Sequence, residues 1–341
     1  MKAFAALLLL LLLPYQAARG ADVGAPTLDA SISRGIDFLA SKQNPDGSFG
    51  TKQKPAITGL SLLALLSSGQ TADVGKHGPV VRAAIDYLLA SSLPDGTFNR
   101  EHDEKPMYAQ AIATLALAQA YGVEESEAHR RKIASAIFRS VPVILKSQNV
   151  KKDGQFAGGW RYDMVSADSD LSVTGWNALA MRACQDVGVR VPADAVKRAG
   201  EFVLRCYDAQ TKGFGYQPHS PTTPGCTAMA VLCLHTLDDP RTSFATRRET
   251  REGARFLERN PLKDDTQYFY YDTFFVTQAA WRAGDSTFSA ISPSSFSRLL
   301  KLQQPDGGWP ESKEAPSRAY TTSLALLSLS VSYHLLPIEQ R

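Results

Sequence analysis

The chain has 341 residues, 44% hydrophobic and 21% charged, and its 37 Lys and Arg against 34 Asp and Glu leave a formal charge of +3. That balance excludes a disordered or collagen-like chain and a polyanion-binding tail, and it gives no reason to expect nucleic acid as a partner. Four Cys in a chain of this length do not make a disulfide scaffold.

Met1-Lys2 leads into an apolar run from Ala3 to Pro14 with seven consecutive Leu, followed by Ala18-Arg19-Gly20 with small residues at −3 and −1. This pattern predicts a secretory signal peptide over residues 1–20, and hence a mature chain, 21–341, that is secreted or periplasmic. The run is short for a membrane span, and no later segment reaches 18 uninterrupted apolar residues, so no transmembrane segment is expected after signal removal. Cys184, Cys206, Cys226 and Cys233 are expected as buried thiols, with a Cys184 to Cys233 contact between neighbouring helices as the alternative.

Along the rest of the chain a Gly turn with a nearby aromatic keeps returning. The copies are Pro45-Asp46-Gly47-Ser48-Phe49, Pro94-Asp95-Gly96-Thr97-Phe98, Asp153-Gly154-Gln155-Phe156, Lys212-Gly213-Phe214 and Pro305-Asp306-Gly307-Gly308-Trp309. A degraded copy, Asn260 to Asp265 followed by Tyr268 and Phe269, sits in the one double-length gap, so six fit. Pro presets the first turn angle, Asp caps the turn locally, and Gly takes the angle that closes it.

Two kinds of helical segment alternate between these turns. Those preceding a turn are amphipathic, as in Leu28, Ile32, Ile36 and Leu39, or Ile133, Ile137, Val141 and Ile144, and so have one apolar stripe and one wet face. Those following a turn are apolar nearly all round: Ile57 to Leu66, Ala109 to Ala120, Thr227 to Leu234 and Thr321 to Leu329. Such helices are buried. Gly69, Gly122, Gly188 and Gly284 end four of them as left-handed caps. Six outer and six inner helices satisfy all these faces when the hairpins close into a double-walled ring, an all-α (α/α)6 toroid forming one domain. No strand alternation of any length competes.

Gln303-Gln304-Pro305-Asp306-Gly307-Gly308-Trp309, and Gln43 to Phe49, resemble the QW motif of squalene and hopene cyclases. The chain from about residue 28 to 334 is similar to the prenyltransferase and squalene-oxidase repeat superfamily. The resemblance implies that the Gln and the aromatic fasten one hairpin to the next, and that the inner helices open at their N-terminal ends into a central cavity. Those ends carry Lys54, Lys105 and Tyr108, Asp168 to Ser172, Gly225-Cys226, Tyr271-Asp272, and Arg318 with Tyr320.

Asp168-Ser169-Asp170-Leu171 resembles the D-x-D-D motif with which hopene cyclases protonate an alkene. The match makes Asp170 the proton donor and Asp168 its partner, with Tyr108, Trp176, Tyr271 and Tyr320 as aromatic walls that stabilise a carbocation. Leu171 stands where the motif has its fourth-position Asp, and the chain is about half a two-domain cyclase. Asp at a helix start is also an ordinary cap. Gly225-Cys226 resembles the Gly-Cys pair of protein prenyltransferase β subunits, but Pro224 occupies the place of the Asp ligand and Tyr320 that of the His. The six His stand singly, so no metal or other cofactor is implied.

Six converging helix N-termini, with Lys54, Lys105 and Arg318 beside them, also suit an anionic ligand; interleaved acids such as Asp103, Glu104 and Glu314 suit a solvated rim instead. The stretch from Arg241 to Arg259, with six Arg and three Glu, reads as a wet, internally paired helix face. The expected function is therefore action on, or binding of, an isoprenoid or other hydrophobic molecule through acid chemistry at Asp170. The alternatives are a non-catalytic binding or scaffold toroid and, more weakly, a carbohydrate-active barrel using Asp170 and Asp272 across the ring.

Overall fold

A computed structural model of the chain describes residues 27–98, 105–263, 266–312, 317–333 and 335–336. The signal peptide expected over residues 1–20 lies outside them, as do Asp103, Glu104 and Glu314. The outer helices are α1 (Leu28–Ser41), α3 (Gly78–Ser91), α5 (Glu127–Gln148), α7 (Ala193–Arg205), α9 (Arg248–Arg259) and α11 (Asp285–Leu302). Between them run the inner helices α2 (Lys54–Ser67), α4 (Pro106–Val123), α6 (Leu171–Asp186), α8 (Pro224–Thr236), α10 (Phe269–Ala283) and α12 (Arg318–Leu329).

Each inner helix packs on the next in chain order, and α12 packs back on α2, which closes the ring. Small residues set the inner spacing. Gly59 lies against Ile112 and Gly175 against Met229, where a Cβ would collide, and Ser61 and Ser323 share a hydrogen bond of 3.1 Å across the closure. The Arg-rich α9 buries only Thr250, Gly253 and Leu257 and keeps its charged face in water, as its sequence implies.

The turns act as fasteners with a fixed wiring. At the end of an outer helix, Gln Nε2 donates both to the turn Gly carbonyl and to a carbonyl of the next outer helix. Gln43 reaches Gly47 and Val80 (3.0 and 2.9 Å), Gln148 reaches Gly158 and Ala195 (2.8 and 2.9 Å), and Gln303 reaches Gly307 and Ser31 (2.8 Å each). The turn aromatic then buries its ring and donates its own N–H to a Thr on the following inner helix. The pairs are Phe49 to Thr58, Trp160 to Thr174, Phe214 to Thr227 and Trp309 to Thr322, at 2.9–3.1 Å.

This wiring corrects the third copy. The turn glycine there is Gly158, at φ +92°, and its aromatic is the fully buried Trp160 rather than Phe156. Gly154 instead starts a short 3-10 turn, Gly154–Phe156, because the loop of this hairpin is longer. Gly122 is likewise no cap: α4 runs on to Val123 and Gly122 keeps an ordinary helical φ, whereas Gly69, Gly188 and Gly284 have positive φ. The degraded fifth copy leads from α9 into α10, with Asp264 and Asp265 outside the described residues.

The second copy swaps the two roles. Ser92 stands where a Gln would, and Gln110 on α4 stands where a Thr would. Gln110 accepts from Phe98 N–H (3.3 Å) and donates to Gly96 O (3.0 Å) and Ser140 Oγ (2.7 Å). One buried side chain thus carries both fastenings. Gln110→Leu should therefore lower stability by about 2 kcal/mol, since it orphans a buried N–H and a buried C=O; urea denaturation against wild type measures this.

The ring centre departs from expectation. Instead of an open central cavity, the inner side chains fill it, and a space of about 20 Å3 is left between Leu63, Leu115, Trp176, Leu179, Phe274 and Leu327. That is room for about one water molecule. Inner helices this rich in Leu and aromatics pack to interior density once the ring closes.

Candidate functional site at the tyrosine-lined mouth

Asp170 is the N-cap of α6. A short bridge between Trp160 and Asp170 folds the preceding loop back on itself, with Asp170 N–H donating to Trp160 O at 2.8 Å, and this fold brings Arg161 beside the cap. The carboxylate is fully buried. Its Oδ1 accepts from Val173 N–H (2.9 Å) and Ser172 Oγ (2.5 Å), and its Oδ2 from Arg161 (3.0 Å). Burial pushes its pKa up, while Ser172, the Val173 amide and Arg161 pull against that rise.

Two hydrogen-bonded branches lead outward from this acid. Ser172 spends its single hydroxyl proton on Asp170, so in the 2.6 Å contact between Tyr108 Oη and Ser172 Oγ the tyrosine donates. On the other side Arg161 reaches Tyr216 Oη (3.0 Å), which shares a 2.6 Å hydrogen bond with Tyr162 Oη. Tyr162 stacks on Tyr108 with ring centroids 5.9 Å apart, and carries the cations of Arg161 and Lys105 over its face at 4.5 and 4.6 Å. Burial raises the Tyr108, Tyr216 and Tyr271 hydroxyls well above the ordinary phenol range, with the Asp170 charge adding to each, so all three stay protonated donors at neutral pH.

Tyr108, Tyr162, Tyr216, Tyr271 and Tyr320 are all partly buried and ring the N-terminal mouth of the toroid. Below them Trp176 donates Nε1–H to Tyr271 Oη (3.0 Å) and lies flat on Phe274, with centroids 5.4 Å apart and planes 4° from parallel. Tyr108, Tyr271 and Tyr320 thus stand together at the mouth, and Trp176 lies between it and the packed centre.

Asp272, in the first turn of α10, shares this mouth. Its carboxylate lies over Gly225, where any Cβ would strike it, and beside Cys226. Burial alone raises its pKa to about 7. No donor among the described residues meets it.

The other predicted residues separate. Asp168 is half-exposed and stays at the site's edge, 3.3 Å from Arg161 Nε and from Gln217 Nε2. Lys54 and Arg318 each pair with a turn Asp: Lys54 with Asp46 at 2.8 Å, and Arg318 with Asp306 through two bonds of 2.7 Å while covering Phe38. Both cations are bound by the Asp of their own Pro-Asp-Gly turn, which the eight- and twelve-residue separations allow. Lys105 stays at the rim over Tyr162.

Tyr162 and Tyr216 are the site residues that the sequence did not point to; Arg161 joins them from the same loop, and Ser172 belongs to the stretch from Asp168 already named. They lie in or just after irregular loops; only the turn that folds Trp160 onto Asp170, and the one that sends Tyr216 O to Leu171 N–H (2.9 Å), bring them in. The four cysteines are free, three of them buried as expected, and Cys226 is half-buried at the mouth. No helix among the described residues is long and apolar enough to cross a membrane, and no three of their His, Cys, Asp or Glu gather as a metal site.

No protein-family model matches the chain. Two drimenyl diphosphate synthases are similar in sequence: that of Streptomyces showdoensis, 26% identical over 212 residues, 61% of this chain and 37% of that protein, and that of Streptantibioticus cattleyicolor, 27% identical over 212 residues, 58% and 35%. The chain thus spans little more than a third of the length of the curated relatives it matches. In fold it is similar to the type II terpene cyclase MstE of Scytonema (TM-score 0.59, 14% identity, 91% of this chain and 99% of that one). It is also similar to the GH76A α-1,6-mannanase of Salegentibacter sp. HEL1_6 (TM-score 0.64, 7% identity, 90% and 99%). With six helical hairpins closed into a ring, three of them fastened by a Gln at the end of the outer helix, the chain has an α/α toroid fold similar to that of a type II terpene cyclase.

Proposed function

We propose that this chain handles an isoprenoid at the tyrosine-lined mouth, with Asp170 as the buried acid. The observation that carries the reading is the environment of Asp170: a fully buried carboxyl, raised by burial, with a hydroxyl chain through Ser172 to the partly exposed Tyr108. Likeness to drimenyl diphosphate synthases supports the substrate class. In the protonated state Asp170 delivers its proton to an alkene held against Tyr108 and Tyr271, and the ring faces stabilise the cation that forms. Because the ring centre is filled, the ligand engages from the mouth and only its reacting end reaches below the tyrosines. The leader over residues 1–20 is proposed to place this chemistry outside the cytosol, with a mature chain beginning at Ala21.

The test is incubation of the purified protein with farnesyl and geranylgeranyl diphosphate, followed by extraction and mass analysis with counting of double bonds. Wild type should give an isomer of unchanged mass with fewer double bonds, and Asp170→Asn should return the substrate unaltered. Neither conversion nor retention of either substrate by wild type would sink the reading. A second reading has its own observation: Asp170 and the unpartnered Asp272 give the mouth two carboxyls in different environments, on a fold shared with an α-1,6-mannanase. Release of sugar from an α-1,6-mannan, with no polyprenyl conversion, would favour it.

A further inference from the structure

Asp170 has no exposed surface, so a bound molecule does not touch it and its proton must leave through a neighbour. We propose that Ser172 and Tyr108 form a proton relay from Asp170 to the mouth, with Tyr108 Oη as the atom that hands the proton to an alkene. Ser172 is the link between the two and never meets the ligand. The relay rests on the reading of Asp170 as the acid of an isoprenoid site, and it assigns the route by which that acid acts.

Three groups bond the carboxyl: the Val173 amide at 2.9 Å, Arg161 at 3.0 Å and the Ser172 hydroxyl at 2.5 Å. An amide and a guanidinium donate hydrogen bonds but keep their protons at any ordinary pH, so both hold the carboxyl and neither conducts. Arg161 therefore interrupts the branch that runs on through Tyr216 to Tyr162. A hydroxyl, by contrast, takes a proton on a lone pair while releasing its own. Ser172 is buried beside the acid, and 2.6 Å beyond it stands Tyr108, partly exposed at the mouth. Tyr216 approaches the carboxyl too. Its hydroxyl, however, is engaged by Arg161 and Tyr162 at 3.0 and 2.6 Å, which makes it the natural control.

In the loaded state Asp170 Oδ1–H donates to Ser172, Ser172 donates to Tyr108, and the Tyr108 O–H turns to the ligand. On discharge the Tyr108 O–H bond breaks as an alkene carbon gains a C–H bond. The Ser172 proton moves to Tyr108 Oη, and the Asp170 proton moves to Ser172 Oγ. A carbocation and a carboxylate remain, with Tyr108 donating to Ser172 and Ser172 to Asp170. That is the order of donors an ionised Asp170 requires of the 2.6 and 2.5 Å contacts, so discharge shifts protons and needs no side chain to move. The hops are concerted, because burial makes the Tyr108 phenol too weak an acid to act without the carboxyl behind it. A proton from water at the mouth reloads Asp170 by the same hops in reverse.

The experiment compares Ser172→Val with Ser172→Thr, side chains of one shape of which only Thr keeps the hydroxyl, so that a packing defect affects both alike. The first readout is infrared: the carboxyl band of protonated Asp170, identified by its loss in Asp170→Asn, is followed after dilution into heavy water. Wild type, Ser172→Thr and Tyr216→Phe should exchange alike, and Ser172→Val and Tyr108→Phe about tenfold more slowly. The second is conversion of farnesyl and geranylgeranyl diphosphate. There Ser172→Val should lower kcat about a hundredfold with KM little changed, while Ser172→Thr stays within about threefold of wild type. Exchange that depends on Ser172 in a protein that converts neither substrate would keep the relay and sink the isoprenoid reading. Conversion that Ser172→Val leaves unchanged would keep that reading and overturn the relay. Slowed exchange in Tyr216→Phe, or no carboxyl band lost in Asp170→Asn, would overturn it as well.

Discussion

Trp309→Ala should destabilise the protein by about 4 kcal/mol, the cost of deleting a large, fully buried aromatic side chain. Trp309 has no exposed surface; its Nε1–H donates to Leu299 O at 2.8 Å and its backbone N–H to Thr322 Oγ1 at 3.1 Å. It joins α11 to α12, and its ring also lies over Gly35 of α1, where a Cβ would be 2.8 Å from Cζ3. The residue is therefore the keystone between the last hairpin and the first.

Trp160 is its counterpart inside the ring, equally buried and bonded through Nε1 to Ile144 O at 2.8 Å. Trp160→Ala should cost a similar amount in urea denaturation. The two should differ in hydrogen exchange: Trp309→Ala deprotects α1 and α12 ahead of the rest, because a ring cut at its closure becomes an open array whose end repeats fray. Trp160→Ala leaves that closure intact. Equal exchange patterns for the two variants would mean that closure contributes no more than any other junction.

How much of the fold and the site can be read from the residues alone depends on range. Helices and their inner or outer placement follow from local patterns, and the structure keeps them: Leu28–Ser41 shows one buried stripe, and Lys54–Ser67 is buried almost throughout. Turn chemistry is also local, and it misleads only where a longer loop offers two glycines, Gly154 and Gly158, with nothing in the sequence to say which meets α7. The site is half visible. Asp170, Tyr108, Trp176, Tyr271 and Asp272 sit at inner-helix starts, where the repeat forces them to converge. Arg161, Tyr162 and Tyr216 reach the site through loop backbone bonds that no periodicity encodes. Lys54 and Arg318 follow the same rule of range: each pairs with the Asp of its own turn, eight and twelve residues back, a contact the turn chemistry makes local. The filled centre is hidden as well, since whether inner side chains meet depends on the ring's radius, which Gly59, Gly175, Ser61 and Ser323 set through contacts distant in sequence.

Asp272→Asn should stabilise the protein at pH 8 and leave it unchanged at pH 4. The folded carboxyl titrates at about 7, against an ordinary 3.8, because burial disfavours its charged form. Below pH 4 it is protonated in both states and its burial costs little. Between pH 4 and 7 the unfolded chain releases the proton while the folded chain holds it, so stability falls as pH rises through this window. A shift of about three units corresponds to about 4 kcal/mol, and the partial solvent access of this side chain reduces that to about 2 kcal/mol. Asn, uncharged at every pH, removes the loss. Denaturant midpoints at the two pH values measure it, and an equal difference at both would show that Asp272 ionises freely. Gly225→Ala supplies the complementary case: its Cβ would displace the carboxylate from its seat over residue 225 toward water, so the pH dependence should shrink although Asp272 is still present. A carboxyl held at this cost, half-protonated near neutral pH and facing the same mouth as Asp170, is poised to exchange a proton with a bound ligand, and both proposed chemistries at that mouth need a group able to do so.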